Sequence, residues 1–250
     1  MYQTGLVSVS FRNLSPEEVI RAAKEAGLEW IEWGSDIHAP YGDEHRLEMI
    51  AVYQEAAGLK CSSYGTYFVL GRDDPETLIN YFAAAKQLGT TILRLWCGTK
   101  GSKKYSPTEL NTLYKDCRKA ASIAEAHNIM LCMECHNNTL TDTKESALAL
   151  MEAVHSPAFR MYWQPNQYRT EEENIQYLDM LNPYITHIHV FQWKGDKRYP
   201  LAMGTASWKT YLDHLGNNKL LLLEFMPNDQ VESLLTEANS LRKIIQEVTD

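Results

Sequence analysis

Residues 15–33 read SPEEVIRAAKEAGLEWIEW. This stretch holds one complete helix-to-strand transition. Ser15 before Pro16 is an N-cap followed by proline at the first helical position, and Ser15 with Glu18 has the capping-box spacing. Gly27 ends the alanine-rich helix as a left-handed C′ residue, and LEWIEW then reads as a strand. The same punctuation recurs downstream. Asp74-Pro75 and Ser106-Pro107 open helices, while Gly58 and Gly89 close them. Gly27, Gly58 and Gly89 recur every 31 residues, which is the period of one strand, loop and helix.

Strand-like runs lie near 5–10, 28–34, 59–65, 90–97, 129–135, 159–164, 185–192 and 219–225. Eight such runs alternating with eight helical patterns predict an α/β protein, a single (β/α)8 TIM barrel over 1–250. The seventh helix is expected near 205–214. An open doubly wound sheet is the alternative, but no glycine-rich phosphate fingerprint follows the first strand.

Composition is that of a globular chain, with 44% hydrophobic and 22% charged residues. A formal charge of −8 argues against a nucleic-acid partner, which needs a basic face. The first residues, MYQTGLVSVSF, read as a strand rather than a signal peptide, and no apolar run approaches a membrane span. Five scattered cysteines fit a reducing compartment, so a cytoplasmic protein with no membrane partner is expected. Cys132 and Cys135 would point to opposite faces of one strand, so they share neither a metal nor a disulfide. Cys61, Cys97 and Cys117 read as small apolar fillers.

Three polar side chains end three apolar runs: Glu134 in IMLCMEC, His189 in ITHIHVF and Glu224 in KLLLLEF. Gln164 holds the matching place in FRMYWQPNQ. By strand alternation Cys132, Glu134 and His136 share a face, as do His187, His189, Phe191 and Trp193, and Leu220, Leu222 and Glu224. C-terminal strand ends are where such barrels build active sites. Carboxylate, amide and imidazole donors suit a divalent ion such as Mn, Mg, Co or Zn. A carboxylate after several leucines also needs a partner, so the plainer alternative pairs Glu134 and Glu224 with a Lys or Arg inside the barrel.

Taken together, AGLEWIEW at 26–33, LCMECHNN at 131–138, ITHIHVFQWKGD at 185–196, the Trp208 segment and LLLEF at 221–225 resemble the xylose isomerase-like TIM-barrel superfamily. Its sugar phosphate isomerase/epimerase group includes ketose 3-epimerases, hydroxypyruvate isomerase, inosose dehydratase and endonuclease IV. The resemblance implies metal ligands at Glu134, Gln164, His189 and Glu224. Two motifs depart from the group's pattern. Gln164-Pro165-Asn166-Gln167 stands where Asp-x-x-His is usual, and His189-Val190-Phe191-Gln192 where His-x-x-Asp is usual. With both glutamates ionised, Gln164 leaves the four ligands at −2 rather than −3.

The resemblance further implies a metal-dependent isomerase or epimerase acting on a small carbohydrate. Glu134 and Glu224 would be the catalytic acid/base pair, moving a proton next to a carbonyl through an enediolate. A lyase that dehydrates a keto-sugar or inosose could use the same site. A non-catalytic sugar-binding barrel is the other alternative, favoured by Gln164 and Gln167. The endonuclease branch is disfavoured by the acidic charge and by the two glutamines. Glu32, His38, Tyr64, Trp96, His136, Gln167, Trp193, Lys194 and Arg198 are candidate substrate-binding residues, with Tyr67, Asn137, Lys197 and Trp33 near them. The chain could form a homo-oligomer.

Overall fold

The computed structural model describes residues 2–216 and 218–249. Eight parallel strands close into a barrel, each followed by a helix. The strands are β1 (Gln3–Val7), β2 (Trp30–Gly34), β3 (Lys60–Leu70), β4 (Ile92–Cys97), β5 (Met130–Glu134), β6 (Phe159–Trp163), β7 (Ile185–Val190) and β8 (Leu220–Leu223). Closure comes from β1 against β8, with Gln3 beside Leu220 and Leu6 beside Leu223. The helices are α1 (Pro16–Glu25), α2 (Glu44–Ala56), α3 (Ile79–Gln87), α4 (Pro107–Ala126), α5 (Lys144–Val154), α6 (Glu171–Leu181), α7 (Thr205–Leu215) and α8 (Leu234–Thr249). A short antiparallel hairpin, Trp193–Lys194 with Lys197–Arg198, rises after β7.

Local signals produce these elements as read. Ser15 caps α1 and Ser106 caps α4 with complete capping boxes, and Pro16 and Pro107 open them. Gly27, Gly58 and Gly89 follow helix ends at φ of +67°, +76° and +88°, where a Cβ would be strained. The seventh helix forms where expected. Two boundaries differ most from the sequence reading. The first strand ends at Val7, because its pairing with β8 stops at Leu6 and Ser8–Phe11 turn into a 3-10 helix. The third strand runs on to Leu70, past a register shift between Gly65 and Val69.

Strand alternation sorts the side chains into two cores. Leu6, Ile31, Leu93, Leu131, Met161, Ile188 and Leu221 join the apolar faces of the helices in the larger one. Val7, Val9, Cys132, Tyr162, Leu220 and Leu222 fill the barrel lumen, with Trp30, Ile92 and Met130 packed against them. Cys132 lies in the lumen and Cys135 in the outer core, as alternation requires, and all five cysteines are free. The lumen is therefore plugged by side chains below, and the polar residues sit on top of this plug. Among the described residues, no helix is long and apolar enough to cross a membrane.

Candidate active site

Six of the barrel strands bring one inward residue each to the top layer. β2 gives Glu32, β4 gives Arg94, β5 gives Glu134 and β7 gives His189, and Gln164 and Glu224 follow directly after β6 and β8. His189 is fully buried at the centre. Its Nδ1 lies 3.1 Å from Gln164 Oε1, 3.6 Å from Glu134 Oε1 and 3.4 Å from Glu224 Oε2. Its Nε2 faces the other way, 3.4 Å from Glu32 Oε2. Arg94 bridges two carboxylates, with Nε 3.3 Å from Glu32 Oε1 and a terminal nitrogen 3.2 Å from Glu134 Oε2. The Trp96 indole donates to the same Glu134 oxygen at 2.7 Å, and Ser63 donates to Glu32 Oε2 at 2.9 Å.

These environments make the two expected catalytic carboxylates unequal. Burial alone would raise the pKa of Glu134, but Arg94 and His189 overcome it and hold the carboxyl well below the usual range. Burial and the nearby Glu134 charge push Glu224 up to about 7, against the opposing pull of His189 and Arg94. Glu224 Oε2 is buried and makes no hydrogen bond. Burial disfavours a charged His189, yet Glu224 and Glu32 outweigh it and raise its pKa well above the usual value. The plainer alternative for Glu134, an internal ion pair, is thus present as Arg94, while among the described residues Glu224 makes no ion pair with a Lys or Arg.

Above this layer opens a cavity of about 270 Å³. Glu134, Gln164 and Glu224 reach it, as do Trp96, His136, Gln167 and Trp193, all anticipated from the sequence. Five candidate substrate-binding residues do not line it. Glu32 is fully buried under the floor, held by Arg94, His189 and Ser63. His38 is buried, with its Nδ1 3.1 Å from the Ser8 hydroxyl. Tyr64 points into the outer core and donates to the Ala39 carbonyl, because its neighbour Ser63 takes the inward position. Lys194 is exposed and lines a separate depression beside the cavity. Arg198 lies over the Trp193 and Phe225 rings and pairs with Asp229.

Several lining residues escaped the sequence reading, chiefly Arg94, Arg12 and Phe225. Arg94 had a signal, a lone charge inside ILRLWC, which demands a buried partner. Arg12 donates to the Tyr67 hydroxyl and the Val9 carbonyl and pairs with Asp36, which fixes a cation at the cavity wall. The layer also leaves little room beside it. A Cβ on Gly65 would stand 2.7 Å from Glu32 Oε1 and 3.0 Å from an Arg94 nitrogen. Gly65→Ala is expected to cost about 1–3 kcal/mol by displacing this pair, a loss measurable by urea denaturation.

Among the described residues, no three His, Cys, Asp or Glu side chains are by themselves arranged to hold a metal ion. With Gln164 added, the oxygens around His189 Nδ1 are a donor set whose spacings suit a divalent ion once Nδ1 gives up its proton. Ligands sharing one ion at ~2.1 Å stand roughly 3.0–3.5 Å apart, close to the spacings around Nδ1. Glu224 Oε2, which makes no hydrogen bond, lies 3.4 Å from the same Nδ1. The weak member is the neutral amide. Gln164→Asp is expected to tighten divalent-ion binding by roughly tenfold or more, since it adds a charge at contact distance. Elemental mass spectrometry and metal titration of both proteins check this.

The sequence matches the xylose isomerase-like TIM barrel family over residues 20–248. A 3-dehydroshikimate dehydratase of Bacillus anthracis is 26% identical over 194 residues, covering 74% of this chain and 69% of the relative. The crystal structure of a probable 3-DHS dehydratase from Bacillus anthracis superposes with a TM-score of 0.82 at 22% identity, covering 97% of this chain and 99% of that one. A D-psicose 3-epimerase from Clostridium cellulolyticum superposes with a TM-score of 0.70 at 14% identity, over 98% of this chain and 99% of that one. With the closed barrel and the family match spanning nearly its whole length, this chain belongs to the xylose isomerase-like TIM barrel family.

Proposed function

We propose that the chain is a lyase that dehydrates a small β-hydroxy ketone, with 3-dehydroshikimate as the first candidate substrate. The observation that carries this reading is the inequality of Glu134 and Glu224. Epimerisation through an acid/base pair needs two groups that both accept and return a proton. Glu134, locked by Arg94 and Trp96, is a poor proton carrier. Dehydration needs one base and one acid at the departing hydroxyl. The 3-dehydroshikimate dehydratase relative supports the choice.

In this reading Glu224 takes the proton from the carbon next to the carbonyl, which its raised pKa suits to neutral pH. The C–H electron pair becomes the new C=C bond as the β C–O bond breaks. The hydroxyl leaves as water with a proton from His136. That imidazole lines the cavity, its Nδ1 is tied to the Asn137 carbonyl at 2.8 Å, and the Glu134 charge lies nearby. A divalent ion held by Glu134, Gln164, His189 and Glu224 would polarise the carbonyl oxygen. Arg12 gives the cavity wall a cation suited to a substrate carboxylate.

Incubation with 3-dehydroshikimate and a divalent metal, followed in the ultraviolet, tests the proposal. Loss of one water makes that ring aromatic, so new near-ultraviolet absorbance is the expected result. The second reading, a ketose epimerase, is favoured by the convergence of Glu134 and Glu224 on His189. It predicts solvent exchange of a ketose α-proton without elimination. Neither signal on either substrate class would leave the sugar-binding alternative.

A further inference from the structure

Glu32 lies outside the cavity and makes three contacts that fix groups above it. Its Oε1 takes Arg94 Nε–H at 3.3 Å, and its Oε2 takes the Ser63 hydroxyl at 2.9 Å and faces His189 Nε2 at 3.4 Å. It is fully buried, so no solvent can replace these partners. Arg94 offers only donors and never loses its charge. Its carboxylate partner must therefore present oxygen on that side. The remaining oxygen then obliges His189 Nε2 to carry a hydrogen. That choice leaves Nδ1 as the nitrogen that meets Gln164, Glu134 and Glu224.

We propose that Glu32 is a positioning residue that holds the hydrogen on Nε2 of His189, so that Nδ1 is the nitrogen that gives up its proton and can serve as a ligand to a divalent cation. The proposal rests on the metal-site reading given above for its consequence, but not for its geometry. Carboxylates behind ligating histidines fix the tautomer and ring orientation in metal sites generally. Here the same carboxylate is also clamped by Arg94, which in turn holds Glu134. One buried group thus orients two members of the donor set.

The clamp makes the outcome of Glu32→Gln specific. An amide has one oxygen and one NH2. Arg94 can face only the oxygen, so the NH2 must turn to Ser63 and His189. Ser63 can accept it and redirect its own hydroxyl to Ser62, whose Oγ is 3.1 Å away. His189 Nε2 can accept it only with a lone pair. Nε2 would then lose its hydrogen while the one on Nδ1, facing Gln164, Glu134 and Glu224, stays and occupies the ligand position.

The test is imidazole ¹⁵N spectroscopy of the metal-free protein, with a zinc titration by calorimetry. In the wild type His189 Nε2 should be protonated, and in Glu32→Gln it should become pyridine-like. Zinc affinity should fall roughly 10–100-fold in the variant. An unchanged Nε2 signal with unchanged zinc affinity would overturn the proposal. If Glu32→Gln does not fold, Glu32→Asp decides the matter. The shorter carboxylate keeps Arg94 and draws away from His189, so solvent exchange of the Nε2 proton should speed up. Unchanged exchange there would count against Glu32. If the wild type takes up no zinc, the metal reading fails, and the nitrogen spectra still judge the role of Glu32.

Discussion

Replacing Glu224 by Gln is expected to reduce substrate α-proton exchange by roughly 10²–10⁴-fold without weakening the fold. The side chain is buried, and one of its oxygens has no hydrogen-bond partner. Its charge is therefore a burden on stability that a neutral amide of the same shape removes. The pH dependence has a definite sign. A carboxyl whose pKa rises from 4.5 unfolded to about 7 folded binds its proton more tightly in the native state. The native state is thus favoured below pH 4.5 and loses that advantage as pH rises through about 7. The difference amounts to about 3 kcal/mol at full effect. Glu224→Gln lacks this loss, so its stability relative to the wild type should grow over that interval. Urea denaturation across pH, beside deuterium incorporation followed by NMR, measures both halves. Glu134→Gln should behave differently, losing stability because Arg94 and Trp96 lose their charged partner. Undiminished exchange in Glu224→Gln would remove Glu224 from the chemistry.

The contrast between these two glutamates shows where sequence stops informing. Both are legible as site residues, because each ends an apolar run at a strand terminus. Caps, prolines and the glycine period are local, so the barrel and most strand positions are legible as well. What separates Glu134 from Glu224 is not local. Arg94 meets Glu32 from 62 residues away, and His189 meets Glu32 from 157. Those contacts exist only because the barrel closes. Tyr64 was misplaced for a related reason. The β2–β3 register shifts between Ile31 and Glu32, which sets Ser63 beside Glu32 and turns Tyr64 outward. Tyr67, on the inward side of the longer strand, lines the cavity instead. A one-residue slip in register flips every side chain, and one sequence cannot specify it at a strand end.

Arg94→Leu should be the most damaging single change for stability, at about 3–5 kcal/mol near neutral pH. Leucine has the volume to fill the site, so the loss is electrostatic rather than a cavity. Arg94 is almost wholly buried, at 3% exposure, and stands between Glu32 and Glu134. It also donates to the Thr66 carbonyl at 3.2 Å. Without it, Glu32 and Glu134 keep only the single charge of His189, which Glu224 also faces. Both have folded pKa values held below the ordinary 4.5, so their pairing contributes fully above that pH and fades as the solution is acidified further. The gap between wild type and Arg94→Leu should therefore narrow below pH 4.5. Arg94→Lys should recover part of it, because an ammonium keeps the charge but cannot span both carboxylates with a planar fork. Chemical denaturation of the three proteins at pH 7 and pH 4 checks the ordering. If Arg94→Leu is as stable as the wild type at pH 7, the carboxylates must already be neutral there, and Glu134 would regain its place as a proton carrier.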